Sequence, residues 1–528
     1  MRDLHLPGRS VAYGCNGAAA TSQQLSTMLA IEVLRSGGNA MDAALTASAA
    51  QCVIEPHNTG IGGDCFVLYW RADHKKLYGY NGAGWAPAGL SDKSLLNQGI
   101  STLAPDSIHS VTVPGAVDAW WQLLTDHGTR SFSHILEPAI ELAENGFIVH
   151  ERTAADWAED GAKLQHDPGA REELLLDGRA PLAGERMRFP ALAKTLRILA
   201  KEGRDAFYQG DIARDLVGFL NAQGGTHTLA DFAEFRSHYV DPISTRYRGV
   251  DLYQIPPSGQ GLTALVLLNI LNGFPTPPDP LGADRFHLQI EATQLAYSIR
   301  DAFVADPAFA HIPVEGLLSD SFTRSLQSRI DLRRAMDPLS TTPSLHQRDT
   351  IYLTVADRWG NMCSFINSLY WSFGVGKVSP KTGIALQNRG ACFRIEPGHP
   401  NSVRPRKRPL HTIIPAMILK DGAPWLSYGV MGGTYQPVGQ AHVLQNLLDY
   451  GMNIQEAFDA PRGFRRLDAF EGERGISESV MSDLAMRGHP VTRPTLPLGG
   501  GQGIGFVPEP FHYFTASDPR KDGVALAY

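Results

Sequence analysis

Hydrophobic and small residues dominate the region 20–53 and predict helices near the start of the chain. The apolar spacing continues through most of this stretch, and Gly37-Gly38-Asn39 interrupts it in the middle. Small side chains crowd the second half, which lets a helix approach neighbouring backbone closely. We therefore expect one long helix or a helix pair, with its second half buried on several sides.

A glycine-rich turn follows and leads into two predicted strands. The turn is EPHNTGIGGD at 55–64, and the unbroken apolar run CFVLYW at 65–70 comes directly after it. Such a short apolar run after a turn is typical of a buried strand. KKLYGYNGAG at 75–84 predicts a second strand beside the first.

The middle of the chain is predominantly helical in pattern, and the last third changes to strands. Residues 131–146 and 284–303 carry apolar side chains at positions i, i+3, i+4 and i+7. From Thr350 onward, alternating or apolar runs predict strands and one helix. The predicted strands are TIYLTVAD at 350–357, NMCSFINSL at 361–369, GIALQNR at 383–389, AMILKDG at 416–422, PWLSYGV at 424–430 and FHYFTAS at 511–517, and the helix is AHVLQNLLDYGM at 441–452.

This order of elements predicts a layered α+β fold. The strand-rich last third contains too few helices to cover both faces of its own sheet. Its strands must therefore pack against elements from the first part of the chain. We expect one combined unit and not two autonomous domains.

Composition narrows the class of protein. Among 528 residues, 43% are hydrophobic and 19% are charged, which is typical of a globular chain. The net charge of −7 provides no general attraction for nucleic acid or an anionic membrane. The N-terminus lacks a secretory signal pattern and no apolar run is long enough to span a membrane, so we predict a cytoplasmic protein without nucleic-acid or membrane partners.

Metal and cofactor motifs are not found in the sequence. The five cysteines lack C-x-x-C spacing and are interpreted as reduced, buried thiols. His57 and Asp64 flank the glycine-rich turn, but no second cluster with ligand spacing accompanies them. The turn also precedes its strand, whereas phosphate-binding glycine loops follow one. We expect neither a metal nor a cofactor.

Two short segments could carry chemistry. Gly432 and Gly433 follow a predicted strand, where they form either an ordinary turn or a pair of amide donors for a developing negative charge. Thr350 stands where a polar stretch becomes a buried strand. It is either a β-branched residue suited to a strand or, if the chain is cut before it, a nucleophile whose own amine is the base.

The sequence resembles the γ-glutamyltranspeptidase family of N-terminal-nucleophile hydrolases from about residue 10 to the C-terminus. Landmark segments in the family's order carry the resemblance. They are GGNAMDAALTA at 37–47, EPHNTGIGGDCF at 55–66, VPGAV at 113–117, LEPAIELAENGF at 136–147, IPPSGQG at 255–261, DTIYLTVADRWGN at 349–361, SFGVG at 372–376, GIALQNR at 383–389, KRPLHTIIPAMILKDG at 407–422, GVMGG at 429–433 and ASDPR at 516–520.

The resemblance implies a four-layer αββα sandwich made as a proenzyme. The chain would cut itself between Asp349 and Thr350, giving a large fragment, 1–349, and a small fragment, 350–528, interleaved in one domain. By position, Thr350 would be the nucleophile, and Gly432 and Gly433 the oxyanion donors.

Ser368 falls where the family has a hydroxyl residue beside the threonine amine, and Thr354 where it has a small hydroxyl on the first strand. The fragments are each other's implied partners, and a homodimer of such pairs is left open.

Departures from the family's pattern concern the substrate pocket. γ-Glutamyl enzymes hold the substrate's amine with an acid near the position of Cys392 and its carboxylate with an arginine near Ala83, and both charges are missing. A buried zwitterion needs both partners. Instead the pocket offers Arg389, Tyr370, His411 and Thr412 as substrate-binding residues, which is a set suited to a small carboxylate without an amine.

Within the family, this pattern is similar to that of members that hydrolyse oxamate to oxalate and ammonia in purine and allantoin catabolism. A γ-glutamyl hydrolase or transpeptidase with a reshaped pocket is one alternative. Another is an acylase for larger amides, because the short loop from Phe393 to Arg408 implies that the family's lid is missing. A catalytically inactive binding protein is disfavoured by the intact Thr350, Gly432 and Gly433.

Overall fold

Two seven-stranded sheets and the helices on their outer faces form the computed structural model of the chain. It describes His5 and residues 8–339, 350–466 and 468–528. Every strand pair in both large sheets is antiparallel. The expected α+β fold of αββα layers is confirmed.

The strands are β1 Ala12–Gly14, β2 Gly17–Thr21, β3 Asp64–Arg71, β4 Lys76–Gly82, β5 Phe147–Ile148, β6 Arg186–Met187, β7 His238–Val240, β8 Ile243–Tyr247, β9 Val250–Gln254, β10 Ile351–Asp357, β11 Met362–Ser368, β12 Ala416–Lys420, β13 Ala423–Met431, β14 Gly463–Arg466, β15 Ala469–Gly472, β16 Val491–Thr492, β17 Gly500–Pro508, β18 Phe511–Ser517 and β19 Val524–Ala527.

The α-helices are α1 Gln24–Arg35, α2 Ala40–Ile54, α3 Asp92–Leu96, α4 Ala116–His127, α5 Phe132–Asn145, α6 Glu151–Leu164, α7 Pro168–Leu174, α8 Pro190–Glu202, α9 Arg204–Tyr208, α10 Asp211–Ala222, α11 Leu229–Ala233, α12 Gly261–Asn272, α13 Ala283–Phe303, α14 Val314–Leu317, α15 Asp320–Gln327, α16 Gln436–Leu448, α17 Ile454–Asp459 and α18 Glu478–Met486.

The order of strands mixes the two ends of the chain in both sheets. One sheet runs β19-β2-β10-β11-β3-β4-β7, and the other runs β1-β18-β17-β13-β12-β9-β8. Strands that precede position 349 therefore lie on both sides of strands that follow it. Neither part of the chain could form either sheet alone.

Alternate side chains of strand β10 belong to two different hydrophobic cores. Ile351, Leu353 and Val355 belong to the core beneath α2, α4 and α5, whereas Tyr352 and Ala356 belong to the core between the sheets. Successive side chains of a strand point to opposite faces, so a strand buried on both faces reads as a continuous apolar run. A third core lies between the other sheet and α12, α13 and α16.

The helix pair predicted near the start is confirmed. Helices α1 and α2 are separated at residues 36–39, and Asn39 caps α2 by accepting hydrogen bonds from the amides of Met41 and Asp42. All residues of α2 are buried, which agrees with its run of small side chains. The predicted neighbours β3 and β4 also pair directly.

The prediction of a strand at GIALQNR is wrong. Residues 383–389 make a single isolated bridge, between Val378 and Ala385, and a 3₁₀ turn begins at Arg389. Backbone groups here bond to neighbouring loops, as when the Gln387 amide donates to the Gly62 carbonyl at 3.1 Å. The segment is apolar because it is buried next to the sheet, although it is not a strand of that sheet.

Strand β17 was not predicted from the sequence, because it is rich in glycine, which is generally unfavourable in strands. Here three alternate glycines face large side chains, and a Cβ on Gly501 would lie 2.5 Å from the Phe458 ring. A Cβ on Gly503 would meet Ile454 at 2.7 Å. The glycines thus make room for α17 to pack directly on the sheet.

Two smaller expectations concern membranes and thiols. Among the described residues, no helix combines the length and apolar character needed to cross a bilayer.

All five cysteines are free, and three of them, Cys52, Cys65 and Cys363, are buried as expected. Cys15 is exposed and Cys392 is partly exposed, so the expectation of burial was wrong for Cys15.

Candidate active site

Thr350 lies at the entrance of β10 and is 1% exposed. Its Oγ1 lies 3.0 Å from the Oγ of Ser368, the last residue of β11. The antiparallel register explains this contact, because Ile351 is opposite Asn367 and the next pair outward is Thr350 with Ser368. The two hydroxyls that the sequence placed 18 residues apart are thus brought together by the β10–β11 hairpin.

The side chain of Thr350 faces the space between the two sheets. Thr354 and Tyr352 show this direction: Thr354 Oγ1 lies 2.7 Å from Ser427 Oγ of β13, and the Tyr352 ring packs against Gly429. Side chains two residues apart share a face of a strand. Continuing the same two-residue steps places Thr350 beside the end of β13, where Gly432 follows.

Gly432 and Gly433 form the turn between β13 and α16. Both have positive φ angles, 119° for Gly432 and 57° for Gly433. Residues with a side chain rarely adopt the angle of Gly432. The Gly432 carbonyl accepts from the Tyr435 amide at 3.0 Å, and the Gly433 carbonyl accepts from the Gln260 side chain. Among the described residues, neither glycine amide has a hydrogen-bond acceptor. The amides are therefore free to donate to a substrate oxygen.

Tyr370 joins the Thr350 hydroxyl pair to the predicted substrate pocket. Its amide donates to Ser368 Oγ at 2.9 Å, and its backbone has a φ of 84°. The chain therefore turns sharply after β11. As a result, the Tyr370 ring lies over the guanidinium of Arg389, with 4.3 Å from the ring centre to Cζ.

Arg389 is a fully buried cation with two unused donors. Its Nη1 donates to Thr412 Oγ1 at 2.7 Å. Its Nε and Nη2 have no hydrogen-bond partner, and no carboxylate of the described residues forms an ion pair with it. The Nε–Nη2 edge of a guanidinium can receive both oxygens of a carboxylate. A buried charge without a counter-ion is costly, so this position favours binding of an anion.

His411 was expected to contact the substrate, but in the structure its ring nitrogens bond to other protein groups. Its Nε2 donates to Asp64 Oδ2 at 3.1 Å, and its Nδ1 accepts from the Ile413 amide at 3.4 Å. Burial, reinforced by the nearby charge of Arg389, lowers the pKa of His411 to about 4. The imidazole is therefore neutral at pH 7, and both of its nitrogens are already engaged.

Asp64 organises the segments behind the pocket. Its Oδ1 accepts from the Gly115 amide at 3.0 Å and from the Gln387 side chain at 2.8 Å. The glycines before it allow close packing: a Cβ on Gly63 would lie 2.4 Å from the carbonyl oxygen of Ser368. The glycine-rich turn thus supports the β11 terminus, and we assign it no phosphate-binding role.

Gln260 is a site residue that sequence reasoning did not single out. Its Nε2 donates to the carbonyl of Thr412 at 2.6 Å and to that of Gly433 at 3.0 Å. It therefore joins the pocket residue to the glycine turn. The only signal was its place in the landmark IPPSGQG, since a glutamine in a loop has no distinctive pattern of its own.

A cavity of about 410 Å³ adjoins these residues. Tyr370, Thr412 and Thr434 form its wall on the side of the glycine turn, and Cys392 lies among the lining residues. Arg389 does not line the cavity and lies behind Tyr370 and Thr412. The remaining lining residues are Ser101, Thr102, Leu103, Arg300, Asp301, Ala391, Phe393, Arg394, Ile395, Glu396, Asn401 and Leu410.

The structure thus gathers most of the residues named from the sequence. Thr350 and Ser368 are in contact, Gly432 and Gly433 follow the facing strand, and Arg389 contacts both Tyr370 and Thr412. Asp349 lies outside the described residues. The predicted roles of all these side chains stay predictions.

Comparison with known proteins identifies the family of the chain. A family model described as "Gamma-glutamyltranspeptidase" matches residues 26–528. The glutathione hydrolase-like YwrD proenzyme of Bacillus subtilis is 36% identical, covering 97% of this chain and 98% of that protein. The oxamate amidohydrolase proenzyme of Klebsiella pneumoniae is 32% identical, with 97% and 98% covered.

A solved structure shows the same fold over the whole chain. The crystal structure of cephalosporin acylase from Bacillus halodurans superposes with a TM-score of 0.93 at 37% identity, covering 100% of this chain and 98% of that one. Its name and those of the two relatives all denote enzymes that act on amide bonds. The chain belongs to the γ-glutamyltranspeptidase family of N-terminal-nucleophile hydrolases and is an amide-bond hydrolase of that type.

Proposed function

We propose that this protein is a self-processing amidohydrolase that uses Thr350 to hydrolyse small amides bearing a carboxylate, with oxamate as the substrate. The observation that carries the substrate class is the buried guanidinium of Arg389, which has a free Nε–Nη2 edge and no acidic partner among the described residues. With oxamate, the products are oxalate and ammonia, which belong to purine and allantoin catabolism.

Self-cleavage forms the nucleophile that catalysis needs. Thr350 Oγ attacks the carbonyl carbon of Asp349, the C–N bond breaks, and the hydroxyl proton ends on the released amine. Water then hydrolyses the resulting ester, which yields a carboxylate on Asp349 and a free hydroxyl on Thr350. Burial of Thr350 and its contact with Ser368 support this step because they hold the hydroxyl in one position.

Turnover repeats the same chemistry on the substrate. The freed α-amine takes the proton of Thr350 Oγ as the oxygen attacks the amide carbon. The amides of Gly432 and Gly433 donate to the oxygen that becomes negatively charged. Ammonia leaves with the proton held by the amine, and water then hydrolyses the ester.

Arg389 provides recognition of the acid. We infer that the carboxylate enters from the cavity between Tyr370 and Thr412 and binds side-on to Nε and Nη2. Two charge-assisted hydrogen bonds fix the orientation of a short substrate. An α-amino group would find no free carboxylate at the position of Cys392, which makes a γ-glutamyl head group a poorer fit.

The size of the cavity favours a second candidate, an acylase for larger acidic amides. Its volume of about 410 Å³ exceeds what oxamate fills, and Arg300 and Arg394 also line it. The superposition on a cephalosporin acylase supports the same alternative. Both candidates use Thr350 identically and differ only in the acyl group.

Denaturing electrophoresis tests the nucleophile. The purified protein should give two bands, the larger with about two thirds of the mass, because the cut falls after residue 349. Thr350→Ala should remain one chain and be inactive. Thr354→Ala is the matched control, since it removes a hydroxyl from the same face of the same strand and should still be cleaved. An intact parent chain after prolonged incubation would refute self-processing.

Three substrates distinguish the candidates for the processed enzyme. Ammonia release from oxamate is compared with cleavage of a γ-glutamyl anilide and of a glutaryl amide of a bulky amine. Preferential turnover of oxamate supports the proposal. Turnover of the glutaryl amide alone would favour the acylase, and turnover of the anilide alone would mean that the head group is held by residues other than Arg389.

A further inference from the structure

A second group of polar side chains is buried far from Thr350 in the sequence and outside the site described above. His287 and Glu291 lie one turn apart on α13, and His489 follows the end of α18. All three are buried, with at most 4% exposure. One ligand atom from each lies within 4.8 Å of the other two, and this is the one such group among the described residues.

The ligand atoms of this cluster lie close together. His287 Nδ1 and His489 Nε2 are 2.7 Å apart, and His489 Nε2 is 4.0 Å from Glu291 Oε1. The other nitrogen of His287, Nε2, donates to the Asp331 carbonyl at 2.7 Å. Neutral imidazole has one N–H, so the lone pair of His287 is on Nδ1 and faces His489 and Glu291.

The carboxylate of Glu291 also accepts hydrogen bonds from neighbouring groups. The Met336 amide donates to Glu291 Oε2 at 2.9 Å, and Gln294 donates to Oε1 at 3.2 Å. Metal-binding histidines and carboxylates are commonly oriented by a hydrogen bond at the atom that does not bind the ion. His287 has such a bond at Nε2, to the Asp331 carbonyl, and Glu291 has one at Oε2, from the Met336 amide. These two residues therefore show the support expected of ligands in addition to their proximity.

We propose that His287 Nδ1, His489 Nε2 and Glu291 Oε1 bind a divalent cation of the zinc type. Two imidazoles and a carboxylate are a common zinc ligand set, with ligand atoms about 2.0 to 2.2 Å from the ion. In tetrahedral geometry such ligands lie roughly 3.4 Å apart. The observed 2.7 and 4.0 Å become equal to this spacing through side-chain shifts of less than about 1 Å. Water completes the fourth position.

A metal-free hydrogen-bonded cluster is the competing explanation. In it, His489 Nε2 donates to His287 Nδ1 and leaves Glu291 with donors from Met336 and Gln294. That arrangement leaves a charged Glu291 buried without a cation in contact, which is costly, unless the carboxyl takes up a proton, as burial favours by raising its pKa to about 7. A bound dication removes this cost and uses both imidazole lone pairs, so we favour the metal.

The position of the cluster indicates a structural role. His287 and Glu291 lie in the proposed large fragment, and His489 lies in the small one. Asp331 and Met336 belong to the segment that leads toward the proposed cut and attach to the same ligands. A cation here would join the two fragments and hold the end of the large one. Metal binding is independent of the proposed cleavage, and only the bridging of fragments rests on it.

This site also explains why sequence analysis predicted no metal. The prediction relied on ligands close together in sequence, whereas His287 and His489 are 202 positions apart. The spacing of His287 and Glu291 on one helix is in itself uninformative, since exposed helices carry such pairs often. The tertiary contact between α13 and the end of α18 is what completes the ligand set.

Metal analysis of the full-length protein tests the proposal. The protein is stripped with EDTA, dialysed with a small excess of ZnCl₂, freed of unbound ion and analysed by mass spectrometry. We expect about one zinc per chain and a higher melting temperature than in EDTA. Glu291→Gln and His489→Gln should each lower the zinc content about tenfold or more. Co²⁺ in place of zinc should give the visible absorption of a four-coordinate ion.

Two controls keep the outcome specific. His227→Gln changes another buried histidine and should retain the zinc. Thr350→Ala should bind the same amount whether or not the parent cleaves itself, which separates this proposal from the proposed function. Fewer than a tenth of an ion per chain, or zinc retained in both ligand variants, would overturn the site and leave a hydrogen-bonded cluster.

Discussion

At the scale of single residues, ordinary side chains acquire their proposed roles from what surrounds them. Thr350 has the side chain of any strand threonine, and Ser368 and the facing glycine turn distinguish its position. Arg389 is distinctive because burial removes water from its donors while only one of them is bonded to protein oxygen. These environments can be tested one residue at a time.

Arg389→Met should separate substrate binding from self-cleavage. Losing two charge-assisted hydrogen bonds should cost about 2 to 4 kcal/mol of transition-state binding, or roughly 30- to 1,000-fold in kcat/KM for oxamate. Self-cleavage involves no substrate carboxylate and should keep its rate. Steady-state kinetics and a time course of band appearance measure the two effects.

The conservative variant provides the control for Arg389. Arg389→Lys keeps the positive charge but loses the paired N–H donors of the guanidinium. It should retain self-cleavage and show only part of the parent's activity on oxamate. If Met and Lys variants lost processing and turnover in equal measure, Arg389 would be supporting the fold and not holding the substrate.

His411 should make the folded chain sensitive to acid. Its pKa is about 4 in the folded protein, mainly because of burial, and about 6.5 when exposed. The unfolded chain therefore binds more protons between these values, and stability falls as pH decreases from 6.5 toward 4. The loss attributable to this residue should reach about 2 kcal/mol at pH 5.

The measurement compares His411→Gln with its parent in the uncleaved Thr350→Ala background. Urea unfolding at pH 7.5 and pH 5 should show a smaller loss of unfolding free energy in the His411→Gln variant. An equal loss in both proteins would mean that His411 is protonated in the fold at pH 5 or that its site opens before it titrates.

At the scale of elements, the site depends on where strands end. Strands β10 and β11 bring Thr350 and Ser368 together through their register, and β13 ends in the glycine turn on the facing sheet. The loop before β3 then supports the end of β11 from behind. Small changes in that support should affect processing without touching either hydroxyl.

Gly63→Ala tests this support. The added methyl would lie 2.4 Å from the Ser368 carbonyl, a backbone atom that can yield only if β11 shifts. We expect a loss of about 1 to 3 kcal/mol of stability and self-cleavage slowed about tenfold or more. Thermal unfolding and the time course of cleavage provide the readouts.

Gly218→Ala is the matched control for that substitution. Gly218 lies within α10, and an added Cβ meets no atom within 4 Å. Alanine there should stabilise the helix by about 0.5 to 1 kcal/mol and leave cleavage unchanged. Unchanged cleavage in Gly63→Ala as well would mean that the β11 end is held by other contacts.

At the scale of the whole molecule, the two proposed fragments cannot separate without unfolding. In both large sheets, strands from after position 349 pair with strands from before it, so parting the fragments would break strand ladders in each. The processed protein should elute as one species in gel filtration and yield two fragments only in denaturant. Two peaks in native buffer would contradict the interleaved arrangement.

From the sequence one could predict the layered α+β fold, the helix pair α1 and α2 and most strands around the site, and propose Thr350, Ser368 and the glycine turn as site residues. These follow from local patterns and from landmark segments in a fixed order. The prediction was wrong at GIALQNR, where a buried loop has the apolar pattern of a strand, and β17 was not predicted because of its glycines.

The tertiary structure alone shows which side chains contact each other. It paired His411 with Asp64, stacked Arg389 on Tyr370, made Gln260 the link to the glycine turn, and joined His287 and Glu291 to His489. The physical reason is that hydrogen bonding and burial of charge depend on distances in space. Local sequence patterns record the direction and burial of a segment, but not the partners that it will contact.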